Sequence, residues 1–79
     1  MEQKLKELFA AILRESPERI SDETRPVDLP RWDSLQHMIL VSTFEEEFGV
    51  SIEPDEAVEM YRDFGTFKKI ALKGLSGAG

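Results

Sequence analysis

Leu5, Leu8, Phe9, Ile12 and Leu13 fall at i, i+3, i+4, i+7 and i+8, the stripe of one amphipathic helix. Lys4, Lys6, Glu7 and Arg14 take the other side. Such a stripe has to be buried against another element, and no segment of the chain shows the alternation of a strand. The partners for this helix are therefore other helices. Ser16-Pro17 ends it, because the residue before proline avoids the α region. Ser16 is expected to cap one short turn carrying Ile20.

A long ordered loop is predicted over residues 21–32, where Pro26 and Pro30 block regular helix. Val27, Leu29 and Trp32 are expected to pin it to the core. Ordered loops of this length are often functional. A second helix is predicted from Asp33 to Phe48. Asp33 is a good N-cap, Gln36 sits where a capping box needs it, and Gly49 supplies a left-handed stop. His37, Leu40, Val41, Phe44 and Phe48 share one face. Leu35 and Ile39 lie on another, with Met38 between, so the first half of this helix is apolar beyond its core side.

Val50 and Ile52 read as a short extended connection. Pro54 starts a third, short helix through Tyr61, with Asp55, Glu56 and Glu59 favourable near its positive end. Gly65 is read as a break and Thr66 as the N-cap of a last helix. In that helix Phe67, Ile70 and Ala71 face inward, and Lys68, Lys69 and Lys73 face solvent. Gly74 is expected to end it. The fold class is all-α: three longer helices and one short third helix in a small bundle, with a long loop between the first and second. One domain is expected over residues 1–75, followed by a flexible tail over 76–79.

The chain has 79 residues, no cysteine and a net charge of −6. Disulfides, thiolate zinc sites and thiol nucleophiles are thereby excluded, and any thiol chemistry has to come from an added group. No apolar run is long enough to cross a bilayer and no signal-peptide pattern opens the chain, so the protein is read as cytoplasmic. The charge is concentrated: residues 45–63 carry −7, residues 64–79 carry +3 and residues 34–44 carry none. That acidic belt argues against nucleic acid as a partner and for basic partner surfaces. With one histidine and no cysteine, no transition-metal site is expected, and Glu45-Glu46-Glu47 lacks the spacing of a calcium loop.

Ser34 is the first helical residue if Asp33 is the cap. Unpaired backbone N–H groups and the positive dipole end make that position suited to an attached phosphate. His37, one turn on, suggests a Ser–His pair. No third member or oxyanion arrangement accompanies it, and His37 shares a face with core residues. A half-buried structural histidine is the better reading, and a small serine hydrolase the weaker one. Leu35, Met38 and Ile39 form an apolar patch beside the serine that reads as a docking surface.

Asp33-Ser34-Leu35, the helix end Phe44-Glu45-Glu46-Glu47-Phe48-Gly49-Val50, and Ile52 before the acidic third helix together resemble the acyl carrier proteins. The similarity runs from the Leu5–Leu13 helix through Ile70. It implies a four-helix bundle and a 4′-phosphopantetheine arm attached to Ser34 by a phosphopantetheinyl transferase. The arm's thiol would carry acyl groups as thioesters, and the chain itself would be a monomeric carrier that catalyses nothing. Partner enzymes with basic or apolar docking surfaces are implied, recognising Asp33, Leu35, Met38, Ile39 and Glu46. Leu40, Phe44 and Ile52 are implied as lining for an acyl chain. The pathways implied are fatty-acid, modified-lipid or polyketide-type biosynthesis. Gln36, His37 and Ile39 stand where typical fatty-acid carriers have acidic residues. Trp32-Asp33-Ser34-Leu35 is more similar to freestanding carriers of specialised pathways. A peptidyl or aminoacyl carrier of the same fold, and an unmodified acidic interaction module, are the alternatives.

Overall fold

The computed structural model describes the backbone of residues 2–78 and the side chains of residues 2–74. Among these residues the helices are α1 (Glu2–Leu13), α2 (Ser34–Phe48), α3 (Pro54–Met60) and α4 (Phe64–Ala78), with no strand. The loop between α1 and α2 is folded by two single 3-10 turns, Pro17–Arg19 and Pro26–Asp28. α4 packs on α3 and α1, and α1 packs on α2.

The core grows from the α1 stripe. Leu5, Phe9, Ala10 and Leu13 are buried, and Phe9 lies at its centre. Its ring meets Trp32 at 5.0 Å, Phe64 at 4.8 Å and Phe67 at 5.2 Å, all edge-on. Such contacts each add about 0.5–1.5 kcal/mol beyond the area buried. Leu40, Val41 and Phe44 of α2 complete the core with Met60, Phe67 and Ala71. Leu29 and Trp32 pin the loop as expected, but Val27 does not: it is exposed at the tip of the second 3-10 turn. The first turn carries buried Ile20, while Ser16 makes no side-chain cap.

α1 ends on Arg14, which has a φ of 57°. Glu15 N–H donates to Ala10 O at 2.9 Å and Arg14 N–H to Ala11 O at 3.2 Å. This is the Schellman stop, whose left-handed residue is usually glycine. An L side chain there costs about 1–2 kcal/mol. At the end of α2 the same backbone conformation falls to Gly49, with a φ of 63°.

α4 begins earlier than the sequence suggested. Gly65 does not break the chain and Thr66 is not the cap. Asp63 is the cap: its Oδ1 accepts from Thr66 N–H at 2.7 Å. Hydrogen bonds from the Thr66 side chain, then its backbone, hold the Asp63 carboxyl below the usual carboxylate range. Phe64 N–H donates to Thr24 O at 2.8 Å and Gly65 N–H to Asp22 O at 2.9 Å, so the long loop satisfies the helix start. A Cβ on Gly65 would lie 2.9 Å from Asp22 O. The glycine is a close-packing residue inside the helix. Lys68 is not freely exposed either. It reaches Asp22 at 2.8 Å and Glu2 at 3.0 Å, and these carboxylates, Asp22 first, raise its pKa. α4 also continues past Gly74, where an end was expected, because its backbone hydrogen bonding runs on to Ala78. Of the flexible tail expected over 76–79, the backbone of residues 76–78 belongs to this helix, and Gly79 lies outside the described residues.

Candidate functional site

Asp33 caps α2: its Oδ1 accepts from Gln36 N–H at 2.8 Å, and His37 N–H donates to Asp33 O at 2.8 Å. Only this half of the expected capping box forms. Ser34 therefore occupies the first helical position and is exposed. Its hydroxyl has no hydrogen-bond partner among the described residues, no catalytic base included. Unpaired backbone N–H groups and the positive helix end surround the site where its oxygen would carry a substituent.

Beside Ser34 a groove of about 450 Å³ runs between α2 and α3. Ser34, Met38, Val41 and Ser42 line it from α2, and Pro54, Ala57 and Val58 from α3, with His37 and Tyr61. Its surface is almost wholly apolar, and the volume falls within the range of ligand sites. The α3 residues were not singled out from the sequence. Their signal was available: Pro54, Ala57, Val58 and Tyr61 stand at i, i+3, i+4 and i+7. Leu40 and Phe44 do not line this groove; both are fully buried in the core, and Ile52 is half-buried against it.

His37 is 6 % exposed and ties three elements together. Trp32 Nε1–H donates to its Nδ1 at 3.1 Å. The ring proton consequently sits on Nε2, which donates to Ala57 O on α3 at 2.7 Å. Tyr61 O–H donates to Trp32 O at 3.3 Å. Burial pushes the His37 pKa below its ordinary value, opposed in part by the Ala57 hydrogen bond. The histidine is neutral and structural, as its place on the core face suggested. It also fixes the spacing of α2 and α3, and so the groove.

Leu35 is 67 % exposed, Met38 68 % and Ile39 43 %, so the second apolar side of α2 faces solvent. Asp33 and Glu46 are exposed as well. Met38 belongs both to this patch and to the groove, whose α3 edge carries Val58 at 76 % exposure. The acidic belt is only partly a free surface. Glu45 Oε2 accepts from Ile52 N–H at 2.9 Å and holds the α2–α3 connection. On the patch, Ile39→Glu is expected to leave the melting temperature within a degree or two, since exposed substitutions usually change stability by no more than about 0.5 kcal/mol. The variant is expected to lower affinity for an enzyme that docks on apolar surface; surface plasmon resonance with unchanged affinity for every cognate enzyme rejects the role.

Opposite the groove, a second cleft of about 420 Å³ is lined by Ile12, Arg14, Pro30, Arg31, Asp33 and Gln36. The Asp33-Ser34 peptide thus stands between an apolar groove and a polar cleft. Among the described residues no group of three or more His, Cys, Asp or Glu is placed to hold a metal ion.

A small helical bundle that offers an exposed serine without a base, at a helix start beside an apolar groove, has the build of a carrier domain. The family model for the phosphopantetheine attachment site matches residues 3–69, and the chain belongs to that family. Domains of this family bind 4′-phosphopantetheine covalently on a serine and are in general carriers without catalytic activity. The site fits such a group: an exposed hydroxyl, an anion-friendly helix start and an apolar groove within one turn. No helix of the described residues is long and apolar enough to cross a membrane.

Proposed function

We propose that Ser34 is the attachment serine and that this chain is a monomeric cytoplasmic carrier of aliphatic acyl groups. The observation that carries the proposal is the juxtaposition of the exposed Ser34 hydroxyl with the apolar groove between α2 and α3. The bound arm supplies a thiol, which the chain itself lacks, and holds acyl groups on it as thioesters. Ser34 Oγ provides the bridging oxygen, and a phosphopantetheinyl transferase removes its proton. Asp33 keeps the helix start in place by accepting from Gln36 N–H, and the Ser34 and Leu35 N–H groups, which have no intrahelical partner, would favour the charge of a phosphate held on Ser34.

The groove favours an aliphatic cargo over an aminoacyl one. An ammonium group within it would lose its hydration and find no carboxylate among the lining residues. The Tyr61 hydroxyl and the His37 Nε2–H, the polar groups toward its interior, are already engaged. Leu35, Met38 and Ile39, flanked by Asp33 and Glu46, present the docking surface for acyl-transferring and acyl-modifying enzymes. These are enzymes of modified-lipid, polyketide or fatty-acid biosynthesis.

Incubation with coenzyme A and a broad-specificity transferase is expected to raise the thiol titre from zero to one per chain. No gain with several transferases rejects the carrier reading. The cargo is tested separately. Each methylene buried contributes about 0.8 kcal/mol. A thioester-linked octanoyl chain is therefore expected to raise the melting temperature by several degrees over the unacylated holo form, and a glycyl group to leave it unchanged. Ala57→Phe, which fills the groove without touching the Ala57 carbonyl, is expected to remove the octanoyl effect. No rise with octanoyl, or an equal rise with glycyl, rejects aliphatic cargo.

A further inference from the structure

The cleft opposite the groove is lined by two arginines with no ion-pair partner among the described residues. The chain has sixteen Asp and Glu against ten Lys and Arg, so a basic residue has carboxylates to choose from. Arg19, Lys68 and Lys73 have found them. The other seven, Arg14 and Arg31 among them, form no salt bridge among the described residues; what sets these two apart is that they line one cleft. The cleft's one carboxylate, Asp33, is engaged as the cap of α2. A guanidinium is a planar fork matched to phosphate oxygens, and two of them beside one cleft form a clamp for a phosphate ester.

The backbone points the same way. Arg14 occupies the left-handed position that ends α1, with a φ of 57°, where glycine is the unstrained choice. Its charge is favourable at a helix C-terminus, but lysine or arginine at the exposed position of Ala11, in the last turn of α1, would supply that without strain. The left-handed residue directs its side chain to the cleft instead. Strain retained at a defined position is a reason to look for a ligand.

We propose that Arg14 and Arg31 form a phosphate-ester site beside Ser34, an inference that rests on Ser34 as the attachment residue. Two phosphate esters come to this place. One is the phosphodiester of the attached arm. The other is the adenosine 3′,5′-bisphosphate portion of coenzyme A, which departs when the Ser34 oxygen replaces it on the pantetheine-bearing phosphorus. Asp33, next to the attachment serine, and Gln36, two residues beyond it, line the same cleft as the two arginines, which puts either group beside that cleft.

The test follows the Arg Nε–H and Gln36 resonances by NMR in the full chain. Apo protein is titrated with adenosine 3′,5′-bisphosphate and, separately, with inorganic phosphate, and is then converted to the holo form. Displacement of the Arg14 and Arg31 signals on holo conversion assigns the site to the arm, and displacement by the nucleotide assigns it to coenzyme A. Either supports the proposal if Arg31→Gln and Arg14→Gly abolish it. Arg14→Gly is also expected to melt at or above the wild-type temperature, since glycine relieves the backbone, while the KM for coenzyme A in loading rises several-fold. Loss of the NMR response together with loss of the fold is thereby distinguished from loss of the site. Silence of both arginines in every arm overturns the proposal. So does an equal response to inorganic phosphate with none on holo conversion, which is an adventitious ion only. Failure of a transferase to load the wild-type chain defeats the attachment reading instead, and the nucleotide titration still decides the cleft.

Discussion

Ser34→Ala is expected to abolish phosphopantetheinylation completely while leaving the bundle intact. The loss is all-or-none because the variant has no oxygen to form the phosphodiester. The fold is spared for reasons visible at the site. The Ser34 side chain is exposed and makes no hydrogen bond among the described residues, and Asp33, not Ser34, caps α2. Alanine is the better helix former, so a stability change within about 0.5 kcal/mol is expected. Ser42 is the control. It lines the same groove two turns further along and is also exposed, but it lies inside the helix, away from the unpaired N–H groups. Ser42→Ala is expected to load at the wild-type rate. Intact-protein mass spectrometry reads both results. Loading of Ser34→Ala, or its absence in Ser42→Ala, moves the attachment site elsewhere.

Trp32→Ala is expected to unfold the chain at room temperature. Truncating a fully buried tryptophan costs about 3–5 kcal/mol. A core of this size supplies a net stability of roughly 3–5 kcal/mol. Trp32 is 1 % exposed, meets Phe9 edge-on and donates to His37, so the upper part of the cost applies. Far-UV circular dichroism without helical signal is the expected result, and a cooperative melt near the wild-type temperature contradicts it. The same contact gives the fold a pH dependence. The folded pKa of His37 lies below its ordinary value of 6.5, so the unfolded chain binds the extra proton more readily. Stability from this group is therefore fully present above pH 6.5 and is lost as the pH falls through the depressed folded value. Protonation of Nδ1 also removes the acceptor for Trp32 Nε1–H. NMR titration of the His37 ring is expected to give a midpoint below 6.5, and a midpoint at or above 6.5 rejects the arrangement.

Much of this bundle was legible because helices announce themselves locally. The α1 stripe, the Asp33 cap and the Gly49 stop each depend on residues within one or two turns, and each appears where the spacing placed it. The errors occurred mainly where distant residues decide. Thr66 looked like a cap on local grounds. The loop carbonyls of Asp22 and Thr24 hold the helix start one turn earlier, and Asp63 caps it. Val27 looked like an anchor by its composition, but the 3-10 turn at Pro26 turns it outward. Lys68 looked solvated, and two carboxylates far away in sequence hold it.

The candidate site divides along the same line. Ser34 and the patch of Leu35, Met38 and Ile39 could be named from the sequence because they share a single helix. The groove could not, because half of its wall belongs to α3 and its width is set by a hydrogen bond from His37 to Ala57, twenty residues on. Leu40 and Phe44 are apolar residues of the same helix as Ser34, yet the packing of α1 and α4 closes over them. Likewise, Arg14 and Arg31 are ordinary surface charges until the end of α1 and the start of α2 meet at one cleft. Periodicity and capping, which are short-range, determined that this chain folds as helices and presents Ser34 at the start of one. Which apolar residues remain open to a ligand depends on which helices pack together, and only the tertiary structure decided that.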